Sequence, residues 1–284
     1  KRQRYKDYVS INQAEVKIFS QFGEDGIIDY LISKLELDFV RFVEVGTSDY
    51  SESNTRFLYQ NGNSEGLIID SDKDLLSRVK SLFQLWRGNI DVNSVFINKD
   101  NLLPLLKKKN FDKNLDLFSM DIDGVDYWII QNLPNKISKI FIAEYNANFG
   151  PQLEVTVPYE ENFNRTKFHY SNLGWGVSLK ALIKLMDKKG YHFVGTNLAK
   201  CNAFFVEKEL AEKCKILIQD TNSLKKFTDI KIREGLNIDG KLALYNEEEK
   251  IRSMRKIKLI DLSSNNYKLT TFGELLDNNE IKSD

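Results

Sequence analysis

The chain has 284 residues with 41 basic and 41 acidic side chains, so it carries no net charge. That balance argues against a nucleic-acid binder, which shows a basic excess, and no apolar run reaches the roughly 18 residues a membrane span needs. Two cysteines, Cys201 and Cys214, are too few for a disulfide framework and predict a reducing, cytoplasmic location.

The basic start, KRQRYKDYVS, lacks the apolar stretch of a signal peptide. Residues 24–35, EDGIIDYLISKL, carry helical periodicity, and RFVEVGTSD (41–49) reads as a first strand ending in glycine and small residues. EGLIIDSD (65–72) is a second strand, residues 73–85 a helix, NSVFIN (93–98) a third strand and residues 101–110 another helix. LDLFSMDID (115–123) and KIFIAEYNA (139–147) are the fourth and fifth strands, separated by a helix over 125–133. Continuous apolar strands alternating with helices predict an α/β fold: a doubly wound, mostly parallel sheet.

Residues 176–210 read as an amphipathic helix, a strand, a loop and another strand, with HFVGT and NAFFV pairing antiparallel at a sheet edge. Beyond Glu207 the pattern changes to charged helical segments with apolar stripes such as Ile251, Met254 and Ile257, followed by a polar tail. The expected organisation is a domain over 1–207 and a helical C-terminal extension over 208–284. The extension packs on the core or on a second subunit and supplies no catalytic group.

In an open parallel sheet, ligands bind outside the carboxyl ends of the strands. Acidic residues crowd there: Glu44 before Gly46, Asp70 after the second strand, Asp121, Asp123 and Asp126 around the fourth, Glu144 at the end of the fifth. A burial cost of several kcal/mol per carboxylate demands a partner, a metal or a ligand. Gly46 lets a cofactor approach the backbone, and Asp70 can accept hydrogen bonds from a ribose diol. The missing G-x-G-x-x-G pattern argues against a dinucleotide pyrophosphate. Asp123 as a helix cap and Asp126 in a first helical turn are the structural alternatives.

Read in order, SQFGEDGII (20–28), FVEVGTSDYSESNT (42–55), GLIIDSD, LFSMDIDGVDYWI, IAEYNANFGP (142–151), VTVPY (155–159), GVSLKAL and GYHFVG…NAFFV resemble FkbM-like class I S-adenosylmethionine-dependent methyltransferases over about residues 18–207. The resemblance implies a Rossmann-like methyltransferase fold and S-adenosyl-L-methionine as cofactor. It aligns Glu44 and Gly46 with the first cofactor motif and Asp70 with the ribose-binding acid. Gln21, Asn54 and Asn98 are further candidate contacts, Asn98 near the adenine, and Ser48 stands where a second glycine is usual.

Asp121 and Glu144 end neighbouring strands, about 5 Å apart, and with Asp123 or Asn146 could hold a hard cation such as Mg, or Mn or Fe if histidine joins. Related metal-dependent sugar O-methyltransferases carry acids at these two strand ends, although the second acid expected after the fifth strand is Tyr145 or Asn146 here. Asp121 and His169 are the candidate catalytic residues, for deprotonating a hydroxyl; His192 reads as a structural strand residue. Tyr145, Tyr159, Tyr170 and Trp175 fit either the core or a sugar-stacking face. The expected reaction is O-methylation of a sugar or nucleotide-linked sugar in surface-glycan (capsular polysaccharide) synthesis. A metal-dependent hydrolase, or a catalytically inactive scaffold of the same fold, are the alternatives.

Overall fold

A computed structural model describes residues 5, 7–82, 89–222, 224–230 and 233–280. Five strands, β1 (Val40–Val45), β2 (Ser64–Asp70), β3 (Asn89–Ser94), β4 (Leu115–Met120) and β5 (Ser138–Glu144), run parallel in the spatial order β3-β2-β1-β4-β5. After the short β6 (Val155–Thr156), β7 (Tyr191–Thr196) and β8 (Asn202–Glu207) complete a seven-stranded sheet. The chain inserts β8 between β5 and β7, antiparallel to both. The predicted antiparallel edge pair is therefore present, with its second strand inside the sheet and its first at the rim.

Helix α1 (Glu24–Lys34) precedes β1, and α2 (Arg56–Gln60), α3 (Leu75–Leu82), α4 (Leu102–Lys108), α5 (Asp126–Asn132), α6 (Arg165–Phe168) and α7 (Leu179–Lys188) lie between the strands that follow. The sheet separates two cores. Val43, Val45, Leu67, Phe118 and Phe141 point to one, with Ile129 and Ile130 of α5 and Leu182 and Met186 of α7. Phe42, Ile68, Leu117, Ile140 and Ile142 point to the other, against Ile27 and Leu31 of α1 and Val79 of α3. The two-residue period of each strand sorts these side chains between faces, and each large one buried stabilises the fold by about 1.5–3 kcal/mol. Every residue of β4 is buried, as its near-continuous apolar run requires when both faces are covered. This is a doubly wound, mostly parallel, Rossmann-like sheet.

Two expectations shift. The third strand is Asn89–Ser94, not 93–98: it is a half-exposed edge strand of alternating polarity, and the apolar Val95-Phe96-Ile97 that follows turns to wall a crevice. Helix α3 begins at Leu75; residues 83–85 of the predicted helix, like the polar tail over 281–284, lie outside the described residues.

The C-terminal extension has helices α8 (Lys208–Lys213), α9 (Lys225–Thr228), α10 (Glu247–Met254) and α11 (Phe272–Glu280), and strands as well. A hairpin joins β9 (Arg233–Leu236) to β10 (Leu242–Tyr245), while β11 (Lys258–Asp261) sits between β12 (Lys268–Thr271) and β6. Met254, Ile257, Leu259, Leu262 and Phe272 are buried in the same core as β4 and β5. Among the described residues no helix is long and apolar enough to cross a membrane.

Candidate functional site

A crevice of about 580 Å³ opens at the carboxyl ends of β1, β2 and β4. Its floor depends on Gly46, whose φ of +86° places it in the left-handed region and whose missing side chain leaves room for the Asp121 carbonyl. A Cβ at Gly46 would stand 1.5 Å from that oxygen. The Gly46 N–H donates to Ile69 O (2.9 Å) and the Asp121 N–H to Val45 O (3.0 Å), tying the three strand ends together.

Ser48 also has positive φ, +49°, and its N–H donates to Asp70 Oδ2 at 2.8 Å. The Asp72 N–H donates to the other oxygen, Oδ1, also at 2.8 Å. Asp70 is thus fixed by two backbone donors, and each oxygen keeps lone-pair capacity for a ligand hydroxyl. Ile69, Val95, Phe96, Ile97 and Val125 supply the apolar walls, and Gln21, Thr47, Ser48 and Asp70 the polar ones.

Glu44 does not line this crevice. Strand alternation turns it to the same face as Phe42, under residues 53–55. There its carboxylate accepts from the Ser53 hydroxyl (2.6 Å), the Asn54 N–H (2.9 Å), the Thr55 N–H (3.0 Å) and the Thr55 hydroxyl. Burial raises its pKa, and these donors oppose the rise. Asn54 is buried beside it and donates to Ser119 Oγ at 3.1 Å. Both residues shape the crevice loop from beneath. Glu44→Ala is expected to destabilise the protein by about 2–4 kcal/mol, the loss of several charge-assisted bonds. Denaturant unfolding with an unchanged midpoint would show that the loop does not depend on it.

The register pairs Met120 with Ala143, so Asp121 and Glu144 end adjacent strands side by side. They share a hydrogen bond. Burial, then the charge of Asp123, pushes Asp121 up to about 8, and burial with the Asp121 charge holds Glu144 well above the ordinary carboxylate value. Ligand atoms of Asp121, Asp123 and Glu144 lie within 4.8 Å of one another. One oxygen of Glu144, a residue only 8% exposed, has no hydrogen-bond partner among the described residues.

Two crowded carboxylates and a buried free oxygen fit a hard divalent cation. Asp123 fits less simply, because it is exposed and paired with Arg165 of α6. Asp126, with burial raising it to about 6, accepts from the N–H groups of Ile122 and Gly124 at 3.0 Å each. It fixes the turn between β4 and α5 and is structural.

The remaining candidates divide. Gln21 lines the crevice. Asn98 does not: its Oδ1 accepts the N–H groups of Asp100 and Asn101 (2.9 Å each), anchoring the start of α4 after the earlier end of β3. His169 is not brought to Asp121 either. It follows α6 and borders a separate hollow with Lys167, Lys256 and Lys258. Asn146 is buried and donates to the carbonyls of Leu173 and Trp175.

Tyr145 is core, its hydroxyl bonded to Phe227 O at 2.6 Å. The Arg165 guanidinium lies over Trp175, and the Lys99 ammonium over Tyr159. His192 is half-buried in β7, 3.5 Å from Glu212.

Sequence reasoning missed Asp49, Ser51, Glu52 and Phe163, which also line the crevice. The polar run SDYSES after Gly46 was the available signal for the first three; Phe163 carried none.

No protein-family model matches the chain, and no curated protein matches it. Among solved structures it is similar to the CurJ carbon methyltransferase, at 10% identity and a TM-score of 0.42 over 73% of this chain and 57% of that one. It is similar to PKMT2 from Rickettsia typhi, solved with AdoHcy, at 12% identity and a TM-score of 0.39 over 83% and 60%. An O-methyltransferase family protein from Burkholderia thailandensis shares 8% identity at a TM-score of 0.36 over 66% and 59%. The chain spans less than two thirds of the length of each of these structures. What the crevice can bind follows from its own residues.

Proposed function

We propose that the chain binds S-adenosyl-L-methionine in the crevice and methylates a hydroxyl of a small acceptor, of the sugar or nucleotide-linked sugar class used in surface-glycan synthesis. The observation that carries the cofactor is Asp70, held rigid at the end of β2 with open lone pairs in a polar crevice that has one apolar wall. A ribose diol matches a carboxylate accepting two hydroxyls, and the apolar wall from Ile69 to Ile97 matches an adenine face. The turn after β1 disfavours a pyrophosphate. Its Ser48 N–H is already committed to Asp70, whose charge repels phosphates. The ordered likeness of the sequence to FkbM-like enzymes supports the same cofactor, and it alone suggests the sugar acceptor.

Bound there, S-adenosyl-L-methionine supplies an electrophilic methyl, so the protein has to orient an acceptor oxygen and remove its proton. Asp121 borders the crevice, and its value near 8 suits it to exchange a proton near neutral pH. Glu144 positions it through their shared hydrogen bond. A divalent cation would be held by Asp121 and Glu144, with Asp123 joining on release from Arg165; it would supply a Lewis acid for a poorly acidic hydroxyl. His169 takes no part in this scheme.

Calorimetric titration with S-adenosyl-homocysteine tests the cofactor reading. Saturable binding is expected, weakened more than about tenfold in Asp70→Ala, since hydrogen bonds to a charged group contribute about 1.5–3 kcal/mol. A folded Asp70→Ala protein with wild-type affinity would remove Asp70 from the site. No binding to the wild type would reject the proposal.

A further inference from the structure

A second hollow, of about 360 Å³, borders residues 160–169, the segment whose Phe163 lines the crevice. Lys167 of α6 reaches its rim, and Lys256 and Lys258 come to it from the C-terminal extension. These last two flank Ile257, which is 1% exposed, and both lysines are themselves exposed. Ile257 is seated by Gly174, where a Cβ would come within 3.1 Å of it, so the extension docks closely beside α6. Among the described residues none of the three ammoniums has an ion-pair partner. Glu160 is the carboxylate on the rim and leaves it net positive.

His169 adds a donor. Its Nδ1 lies 2.8 Å from Ser171 Oγ and accepts the Ser171 N–H at 3.3 Å, so the ring proton resides on Nε2. Burial lowers its pKa, which keeps the ring neutral. A neutral imidazole protonated on Nε2 has a donor to offer rather than a base.

From three unneutralised lysines converging with this histidine, we infer that the hollow is an anion subsite for a phosphate or diphosphate group of the acceptor. The inference deepens the proposed function, on which it rests for the identity of the other end of that acceptor. It also gives the extension a role in substrate recognition, since two of the three lysines belong to it. Three like charges gathered against a single carboxylate repel one another, and a phosphate dianion relieves this while accepting charge-assisted hydrogen bonds.

The test is titration of the full chain with inorganic pyrophosphate at fixed ionic strength. Saturable binding is expected, weakened at least about tenfold in K256Q/K258Q and clearly in K167Q, which lies on a different element. K107Q/K108Q, at the end of α4, should leave it unchanged. Absence of saturable binding, or equal weakening in the α4 pair, overturns the subsite. S-adenosyl-homocysteine titrated into the same proteins separates the two claims: unchanged affinity in K256Q/K258Q certifies its fold. Failure with the wild type rejects the methyltransferase reading while leaving the pyrophosphate result standing.

Discussion

Asp121→Asn and Glu144→Gln are expected to lower turnover by about 10²–10⁴-fold, the range for a lost general base, while leaving S-adenosyl-homocysteine affinity within about threefold. The pair acts on the acceptor, so the loss belongs in turnover. The pH dependence follows from the raised values. In the metal-free protein Asp121 holds its proton until about pH 8, so unassisted activity should rise with pH through that region. A cation at the pair favours both ionised carboxylates and moves the rise to lower pH.

Stability runs the opposite way. A carboxyl whose folded pKa is raised binds more protons folded than unfolded between the ordinary value of 3.8 and about 8. Its stabilising contribution is therefore complete below that range and is lost as pH rises through about 8. Without metal, the melting temperature should fall from pH 5.5 to 8.5, and Asp121→Asn should remove much of the fall. Identical profiles in wild type and variant would sink the shared-proton account. Full turnover after rigorous chelation would leave Asp121 as a base without a cation.

Gly46→Ala should be the most damaging conservative change in the molecule. The new methyl would overlap the Asp121 carbonyl at 1.5 Å, on a backbone with φ of +86°. Separating the ends of β1 and β4 is expected to cost about 3–5 kcal/mol, at the far end of point-mutation effects, and to abolish cofactor binding. Gly150→Ala is the control: φ there is +74°, but a Cβ would meet open space. It should cost only the backbone preference of an extended, positive-φ conformation (ψ −177°), about 1–3 kcal/mol. Equal unfolding midpoints for the two variants would contradict the close approach of the strand ends.

Much of this crevice is written in the sequence in physical terms. β1, β2, β4 and β5 are apolar runs too short for helices, each ending in acids or glycine, and a parallel sheet brings such ends together. The adjacency of Asp121 and Glu144 follows from strand order alone. The direction of Glu44 does not follow from its strand-end position; only its period, shared with Phe42, turns it beneath the loop. β3 is not legible as a strand because NIDVNS is a polar edge strand, while the apolar Val95-Phe96-Ile97 belongs to the crevice wall. β9 to β12 are four residues each and embedded in charged sequence, which leaves no alternation long enough to detect. His169 depends on the path of an irregular segment, and no local pattern sets where that segment leads.

The pairing of β11 with Val155 and Thr156 has a consequence for the order of events during synthesis. The strand that receives β11 leaves the ribosome long before its partner does, and contacts so distant in sequence close slowly. Until Lys258–Asp261 emerges, the apolar core that holds Val155 and Val157 lacks Leu259 and Phe272. A nascent chain halted before that point carries an exposed sheet edge beside unburied side chains, the combination that invites aggregation. Its dependence on chaperones should therefore peak before β11 and β12 emerge and drop once both are free of the exit tunnel.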